Sequence, residues 1–449
     1  MRLVAAIAVL LINVAHAEED AGVPPQPAEA PAPVAVTPPP AAAPSPSVLD
    51  QVLAAFRPYG TIKPTVIASS GAVESFSQPN ASAITAAGNP VISNIPGEAR
   101  LSFQVAQTRF GAWFNEKGQV RGHVEIDFID FAKATPTVQS LIRLRIATIE
   151  WAPTDHFTLI AGQDWDLHAP VNPHGGNMVG GRFLSGNSGF MRQQIKAIGR
   201  VGVFEIAGAV GMEGVNSTAK DGAFELSIVP TFAGRVAWVV GKGRVGVSGL
   251  GTSLRLAPGT AAERRTFAGG VTGYADVTID RTTLRGEISV GRNMSNIGLL
   301  TLGFGTATKD VDEWGGFFSV RHGFTDMHFI YATGGLMRVF DRSSVSPSYS
   351  YAALPADGSA PAFSSAALAG TGPGLLHNAG VNLGYELRLT KNLAFMLEGF
   401  YLWSEHKLQV VDVERVSGIR QAFGGELAAF VTSDHHAGAR STKARSSGQ

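Results

Sequence analysis

Arg143 and Arg145 lie two residues apart in the run Leu141-Ile142-Arg143-Leu144-Arg145-Ile146-Ala147, so on an extended chain both guanidinium groups leave from the same side. Guanidinium stays charged at every physiological pH and grips a carboxylate with two parallel hydrogen bonds, so such a ladder attracts anions. The same parity argument brings further bases to that side: Arg109, Arg121, Arg192, Lys196, Arg235 and Arg321, with Arg255 and Arg285. Against them stand Glu125, Asp127, Glu205, Glu287, Glu398 and Glu426, and then Asp164 and Asp166 at the root of a Pro/Gly-rich stretch. That stretch, about 165 to 187, is expected to fold inward as a loop that constricts the passage, and it carries Trp165, His168, Asn172, His174 and Asn177. Fixed charge facing fixed charge across a narrow passage sorts solutes without bond chemistry. A structural reading stands beside this one: Arg143 and Arg145 pair with Glu125 and Asp127 on a neighbouring strand and stiffen the wall.

Other chemistry is poorly supported by spacing. Asp166, His168 and His174 match no metal-ligand motif, and His435-His436 lies in a tail region. Ser289 and His322 have no third partner fixed by spacing, so no catalytic residue is assigned. Gly303-Phe304-Gly305 lacks the third glycine and following helix of a phosphate loop. No cofactor, metal or nucleic-acid partner is expected.

The elements that must position the charged residues are strands. In Val120 to Phe128, Val120, Gly122, Val124, Ile126 and Phe128 fall on one side and Arg121, His123, Glu125 and Asp127 on the other. This alternation recurs near 60–76, 99–114, 119–130, 140–152, 156–164, 189–198, 200–212, 224–241, 243–256, 265–279, 282–293, 311–322, 326–338, 376–388, 392–405 and 418–431. The total is about sixteen strands. Tight connections at 115–118, 153–155, Gly199, 241–243, 280–281, 323–325 and 390–391 alternate with long ones at 77–98, 131–139, 165–188, 213–223, 257–264, 294–310, 339–375 and 406–417. The fold class expected is all-β: a transmembrane antiparallel β-barrel of about 16 strands, with short periplasmic turns and long external loops. Two faces break step. Leu101, Phe103 and Val105 share one parity and Phe110, Ala112 and Phe114 the other, which requires a bulge near Gln107. Phe430 opposes the parity of Phe423, Leu427 and Val431. Trp113, Trp151 and Trp403, near strand ends, are expected in the aromatic girdle at the headgroups.

Residues 1–17 read as a signal peptide: Arg2, an apolar run from Leu3 to Val14 too short to span a bilayer, and the Ala15-His16-Ala17 cleavage pattern. Residues 18–58 read as an Ala/Pro-rich periplasmic linker, with only a weak helical stripe at 48–56. The barrel is expected over 59–431 and a basic, Ser-rich tail over 432–449. Lys plus Arg and Asp plus Glu balance at 36 each, which gives no global field for nucleic acid or an acidic membrane surface. Glycine, at 53 residues, suits a crowded barrel wall with many turns, and the absence of cysteine removes disulfides and thiolate chemistry.

Several segments resemble those of the DcaP-like porins: Ala106-Gln107-Thr108-Arg109-Phe110-Gly111, Val124-Glu125-Ile126-Asp127-Phe128, the Leu141–Ala147 run continuing to Glu150-Trp151, and Ile160-Ala161-Gly162-Gln163-Asp164-Trp165. Weaker echoes follow at Phe190-Met191-Arg192-Gln193 and in the last hairpin. The resemblance spans roughly 60 to 431 and implies a sixteen-stranded outer-membrane channel assembled as a homotrimer, passing small, often anionic, carboxylate-bearing solutes. The chain departs from the family in carrying the Ala/Pro tether where members often have a coiled coil, and in continuing past Phe430 where such barrels commonly finish on an aromatic residue. The function expected is passive diffusion of small hydrophilic solutes across a Gram-negative outer membrane, with outer-membrane lipid around the barrel and anions preferred. The alternative is a non-conducting barrel that serves as a surface adhesion or scaffold protein through loops such as 339–375. A secreted soluble β-sandwich would require the apolar strand faces to pair with each other.

Overall fold

Sixteen strands close on themselves into one antiparallel barrel in the computed structural model. The structure describes residues 55–70, 99–128, 142–176, 182–212, 229–256, 260–303, 305–306, 308–345, 349–351, 363–364, 375–410 and 413–433. The leader, the linker as far as residue 54, Asn177 and the tail beyond Ser433 lie outside these residues.

Strand β1 is in two halves, Phe56–Ile62 and Thr65–Ser69, interrupted at Lys63-Pro64 because proline has no N–H for the ladder. Strand β2 is likewise split into Arg100–Gln104 and Arg109–Phe114. Single strands follow: β3 Val120–Asp127, β4 Arg143–Thr154, β5 Phe157–Trp165, β6 Met191–Val201, β7 Phe204–Gly211 and β8 Thr231–Val240. The circuit continues with β9 Gly243–Leu256, β10 Arg264–Ile279, β11 Thr282–Arg292 and β12 Asp312–Gly323. It ends with β13 His328–Val339, β14 Leu375–Arg388, β15 Leu393–Val410 and β16 Val413–Thr432. Each wall strand pairs with its predecessor. Closure comes from β1 lying against β16, with Thr61 opposite Thr432 and, in the same register, Thr65 opposite Ala428.

The parity switch in β2 is a bulge. Thr61 faces Arg109 and Thr65 faces Gln104, so five steps on β2 oppose four on β1. A turn in which the Thr108 N–H donates to the Val105 carbonyl (2.9 Å) takes up the extra residue. Leu101, Phe103 and Val105 before it and Phe110 and Phe114 after it therefore all face outward. In β3, Val120 and Val124 are exposed while His123 and Asp127 are buried, as the alternation predicts. Phe423, Leu427 and Val431 of β16 point out, and Phe430 turns in to pack with Tyr331, Met396 and Ala428.

Some boundaries differ from the sequence reading. Gly199 is not a turn: it pairs with Phe157 and Ile206, and the hairpin turns at Gly202-Val203, where Gly202 takes φ 57. The connection expected at 406–417 is instead a continuation of the β15–β16 hairpin to Val410 and Val413, with a register shift between His406 and Lys407. Within the 340–374 connection, Tyr349–Tyr351 pairs antiparallel with Phe363–Ser364 and parallel with Leu408–Val410, extending that hairpin sideways. The barrel starts at Phe56, three residues earlier than expected.

The outer face carries exposed large apolar side chains on most of the strands, with Phe103 76% and Leu383 65% accessible. Hydrocarbon is the solvent that such a belt requires. Trp151 and Trp238 lie on it. Trp113 does not: it is buried inside, its ring stacked on His123 at 3.9 Å, because β2 after the bulge turns odd-numbered residues inward.

Candidate functional site

The interior is where the charged parity gathers. On the wall formed by β2, β3 and β4, Arg143 grips Asp127 with two parallel bonds, Nε to Oδ1 at 2.9 Å and Nη2 to Oδ2 at 2.6 Å. Arg145 donates Nε to Glu125 (2.6 Å) and Nη1 to Asp127 (3.0 Å), and Glu125 also accepts from the Tyr59 hydroxyl (2.9 Å). The cross-strand pairing therefore exists in full. Arg109, directly opposite Asp127 on the other side of β3, adds a third guanidinium to these two carboxylates. It makes no ion pair among the described residues, and its Nε is buried without a hydrogen-bond partner. This sector holds three cations against two anions.

The remaining predicted bases are individually partnered. Arg121 donates to Glu150 (2.6 Å), Lys196 to Asp164 (2.5 Å), Arg235 to Glu205 (2.8 Å) and Arg321 to Glu386 (3.0 Å). Arg192 binds the carbonyls of Met212 (2.7 Å) and Ile297 (2.9 Å) and lies 3.9 Å from Asp166. Asp164 and Asp166 thus do not face the arginine ladder across the lumen. They share its wall, neutralised by the adjacent strand β6.

The segment after β5 folds inward. Leu167 enters an apolar cluster with Ile160, Ile198, Ala207 and Ala209, and Val171 enters another with Ala237, Tyr274 and Phe317. Its backbone is then tied to successive wall strands. The His168 carbonyl accepts from Ser248 Oγ (2.5 Å), and the Val171 N–H donates to Glu287 (2.7 Å). The His174 N–H donates to Ser319 Oγ (2.9 Å), and its carbonyl accepts from Thr333 (2.8 Å). Finally the Gly176 N–H reaches Glu398 on β15 (2.8 Å). Trp165 lies beneath the Arg145 guanidinium (5.7 Å), and Asn172 accepts from Asn187 (3.1 Å) through its side chain and from Arg285 (3.3 Å) through its carbonyl. On the return, Arg182 is fully buried and binds Asn382 through Nε (3.0 Å) and Nη2 (2.5 Å).

Two glycines set how closely this segment approaches the wall. Gly186 has φ 116, and a Cβ there would run into the Gly316 carbonyl; a Cβ at Gly335 would run into that of Ser185. The two histidines of the segment, His168 buried and His174 partly so, are held neutral. Burial pushes His168 down to about 4, with Arg192 adding to the effect and Asp166 opposing it. Burial, then Arg285 and Arg321, pushes His174 down to about 2.

Parity placed Glu398 and Glu426 on the inward face, but not their meeting with Lys63 where this segment ends. Glu398 and Glu426 stand directly opposite each other on β15 and β16. Glu398 accepts from Gly176 N–H, Tyr331 (2.7 Å) and Asn382 (2.9 Å), whereas Glu426 is buried with neither oxygen hydrogen-bonded among the described residues. Lys63 stands beside them, donating to Gln107 (2.7 Å) and to the Gly176 carbonyl. The break at Lys63-Pro64 was the signal: it lets a lysine enter the wall where an unbroken strand was read.

No family model matches this sequence, and no curated protein matches it. Solved structures do match the fold. The outer membrane channel DcaP of Acinetobacter baumannii superposes with a TM-score of 0.59 at 13% identity, over 84% of this chain and 96% of that one. OmpF of Salmonella typhi, in complex with daunomycin, gives 0.52 at 8% identity over 84% and 97%. OprB of Pseudomonas putida, at high pH, gives 0.50 at 10% identity over 86% and 96%. The fold is that of outer-membrane porin channels.

Proposed function

We propose that the chain, exported by its leader to the outer membrane, is a passive diffusion channel for small hydrophilic solutes that favours anions such as carboxylates. The closed barrel with a hydrocarbon-compatible outside and an ionic inside supports the channel reading. The anion preference rests on Arg109. The ladder of Arg143 and Arg145 is saturated by Glu125 and Asp127, so its attraction for a passing anion is largely spent on the wall; Arg109 supplies the surplus positive charge of that sector. The inward segment between β5 and β6, with Trp165, His168, Asn172 and His174, narrows the passage beside it. Assembly as a homotrimer is the part of the proposal that rests on family resemblance alone.

Reversal potential under a salt gradient across a planar bilayer tests the proposal. Wild-type channels are expected to favour anions, and Arg109→Glu to shift the anion-to-cation permeability ratio roughly tenfold toward cations, since two unit charges change near a solute path. An unchanged ratio removes Arg109 from the filter, and folded protein without conductance removes the channel.

One observation favours the second reading, a plugged barrel with a scaffold role: the inward segment is anchored from β9 to β15, and its own Arg182 has no accessible surface. Liposome swelling separates the two, because a plugged barrel admits no small sugar.

A further inference from the structure

The outer face of the barrel is not uniformly convex. Across strands β11 to β15 a groove of about 600 Å³ opens toward the surroundings. Its floor is made by small residues at outward positions, Gly316, Gly334 and Ala379, which the register places beside one another through Gly316 opposite Leu336, Phe318 opposite Gly334, and Leu336 opposite Ala379. Its walls are Ile288, Phe318, Val381 and Tyr401, all exposed and apolar or aromatic. At Gly334 a Cβ would meet only Val381 Cγ1, at 3.6 Å, so no backbone constraint demands glycine there. The small residue leaves a space that a larger one would fill.

A polar pair lies just beyond the Trp314 and Trp403 end of the groove. One residue pair above Leu336 and Ala379, toward the rim that bears the long connections, Arg338 faces His377 across β13 and β14 and Trp314 on its other side. Arg338 is exposed on the outward face and makes no ion pair or hydrogen bond among the described residues. The neighbouring outward arginine, Arg292, is by contrast held by Asp312 through two bonds of 2.6 and 2.8 Å. The His377 ring packs edge-on to Trp403 at 4.6 Å, and its Nε2 is without a hydrogen-bond partner among the described residues. A lone guanidinium on a lipid-facing surface is costly at the bilayer centre and cheap at the headgroups, where a phosphate can meet it.

We propose that this groove is a binding site for an anionic, phosphate-bearing membrane lipid, with an acyl chain laid along Gly316, Gly334 and Ala379 and the phosphate held by Arg338 beside His377. Charge complementarity selects the occupant: an apolar trough capped by an unpaired cation on the membrane face fits an acyl chain ended by an anion. Guanidinium takes two phosphate oxygens at once, so a zwitterionic headgroup, whose own ammonium competes for the phosphate, is held less well.

The full-length protein, folded in detergent and passed through nanodiscs containing phosphatidylcholine with or without phosphatidylglycerol, is then stripped with mild detergent and weighed by native mass spectrometry. Wild-type protein is expected to keep phosphatidylglycerol in preference to phosphatidylcholine. Arg338→Gln is expected to abolish that preference, lowering phosphatidylglycerol retention about tenfold. Gly334→Leu, which fills the trough, is expected to lower retention of both lipids. Heat-modifiable migration establishes that each variant is folded, and Arg338→Gln alone decides the matter should Gly334→Leu fail to fold. Equal retention by wild type and Arg338→Gln overturns the proposal, as does a cross-link from Gly334→Cys to a second copy of the chain, which would make the groove a protein interface.

Discussion

At the residue scale the ion pairs decide more than the charges themselves. Spacing placed Arg143 and Arg145 on the charged face together with Glu125 and Asp127, yet it could not tell a filter from a brace, because both need the same parity. The distances favour the brace: Asp127 is shared by both arginines and is wholly buried. Arg145→Met is therefore expected to act mainly on stability, costing about 3 kcal/mol by leaving two carboxylates short of a partner, as read from the shift in the guanidinium unfolding midpoint. If the midpoint stays put while ion selectivity changes, the ladder is a filter after all. His168 offers a pH test. Its folded pKa, about 4, lies below the ordinary value of 6.5. The docked imidazole thus refuses a proton that an undocked one accepts. Docking is at full strength above pH ~6.5 and weakens as pH falls toward 4, by ~3 kcal/mol at most. Hydrogen-exchange protection across 166–176 should drop between pH 7.5 and pH 5, and His168→Asn should weaken the dependence, leaving the part that His174 supplies; equal protection of the wild type at both pH values would sink this reading.

At the element scale, local patterning was legible and distant docking was not. The bulge in β2 could be located near Gln107 because apolar residues changed sides there, and the structure puts the extra residue between Gln104 and Arg109. That same parity turns Trp113 inward, so placing it in the girdle ignored its own strand. Gly199 misled because glycine is common in turns as well as in crowded strands. The inward course of the segment after β5 was expected, but its anchors lay out of reach: Val171 meets a residue 116 positions away and Gly176 one 222 away. No periodicity encodes contacts at such separation. Glycine geometry now allows a sharper test, since the positive φ of Gly186 and its contact with a backbone carbonyl leave no flexible group to yield. Gly186→Ala is expected to unseat the return half of the segment and to raise single-channel conductance with the barrel still folded. Conductance equal to wild type would show that this approach does not limit the passage.

For the whole molecule, the strand number was legible because alternation and turn chemistry repeat regularly around a circuit, and closure was legible because apolar outer faces on strand after strand can meet lipid only in a sheet without edges. A row of residues does not state the register in which the first strand meets the last. Closure also predicts behaviour: with every wall edge paired, the folded barrel should resist dodecyl sulfate at room temperature and migrate faster on a gel than the same sample after boiling. Identical migration of the two samples would argue against a closed cylinder.

The seam between β1 and β16 carries one more consequence. Phe56 and Thr432 both lie at the rim of tight turns, and Ser433 hydrogen-bonds to Gly60 across the seam. Topologically the wall is a ring in which this joint differs from its neighbours only in lacking a peptide linkage. Splicing the two ends with a short glycine-rich bridge and opening the chain within 71–98 should yield a circular permutant that folds to the same cylinder.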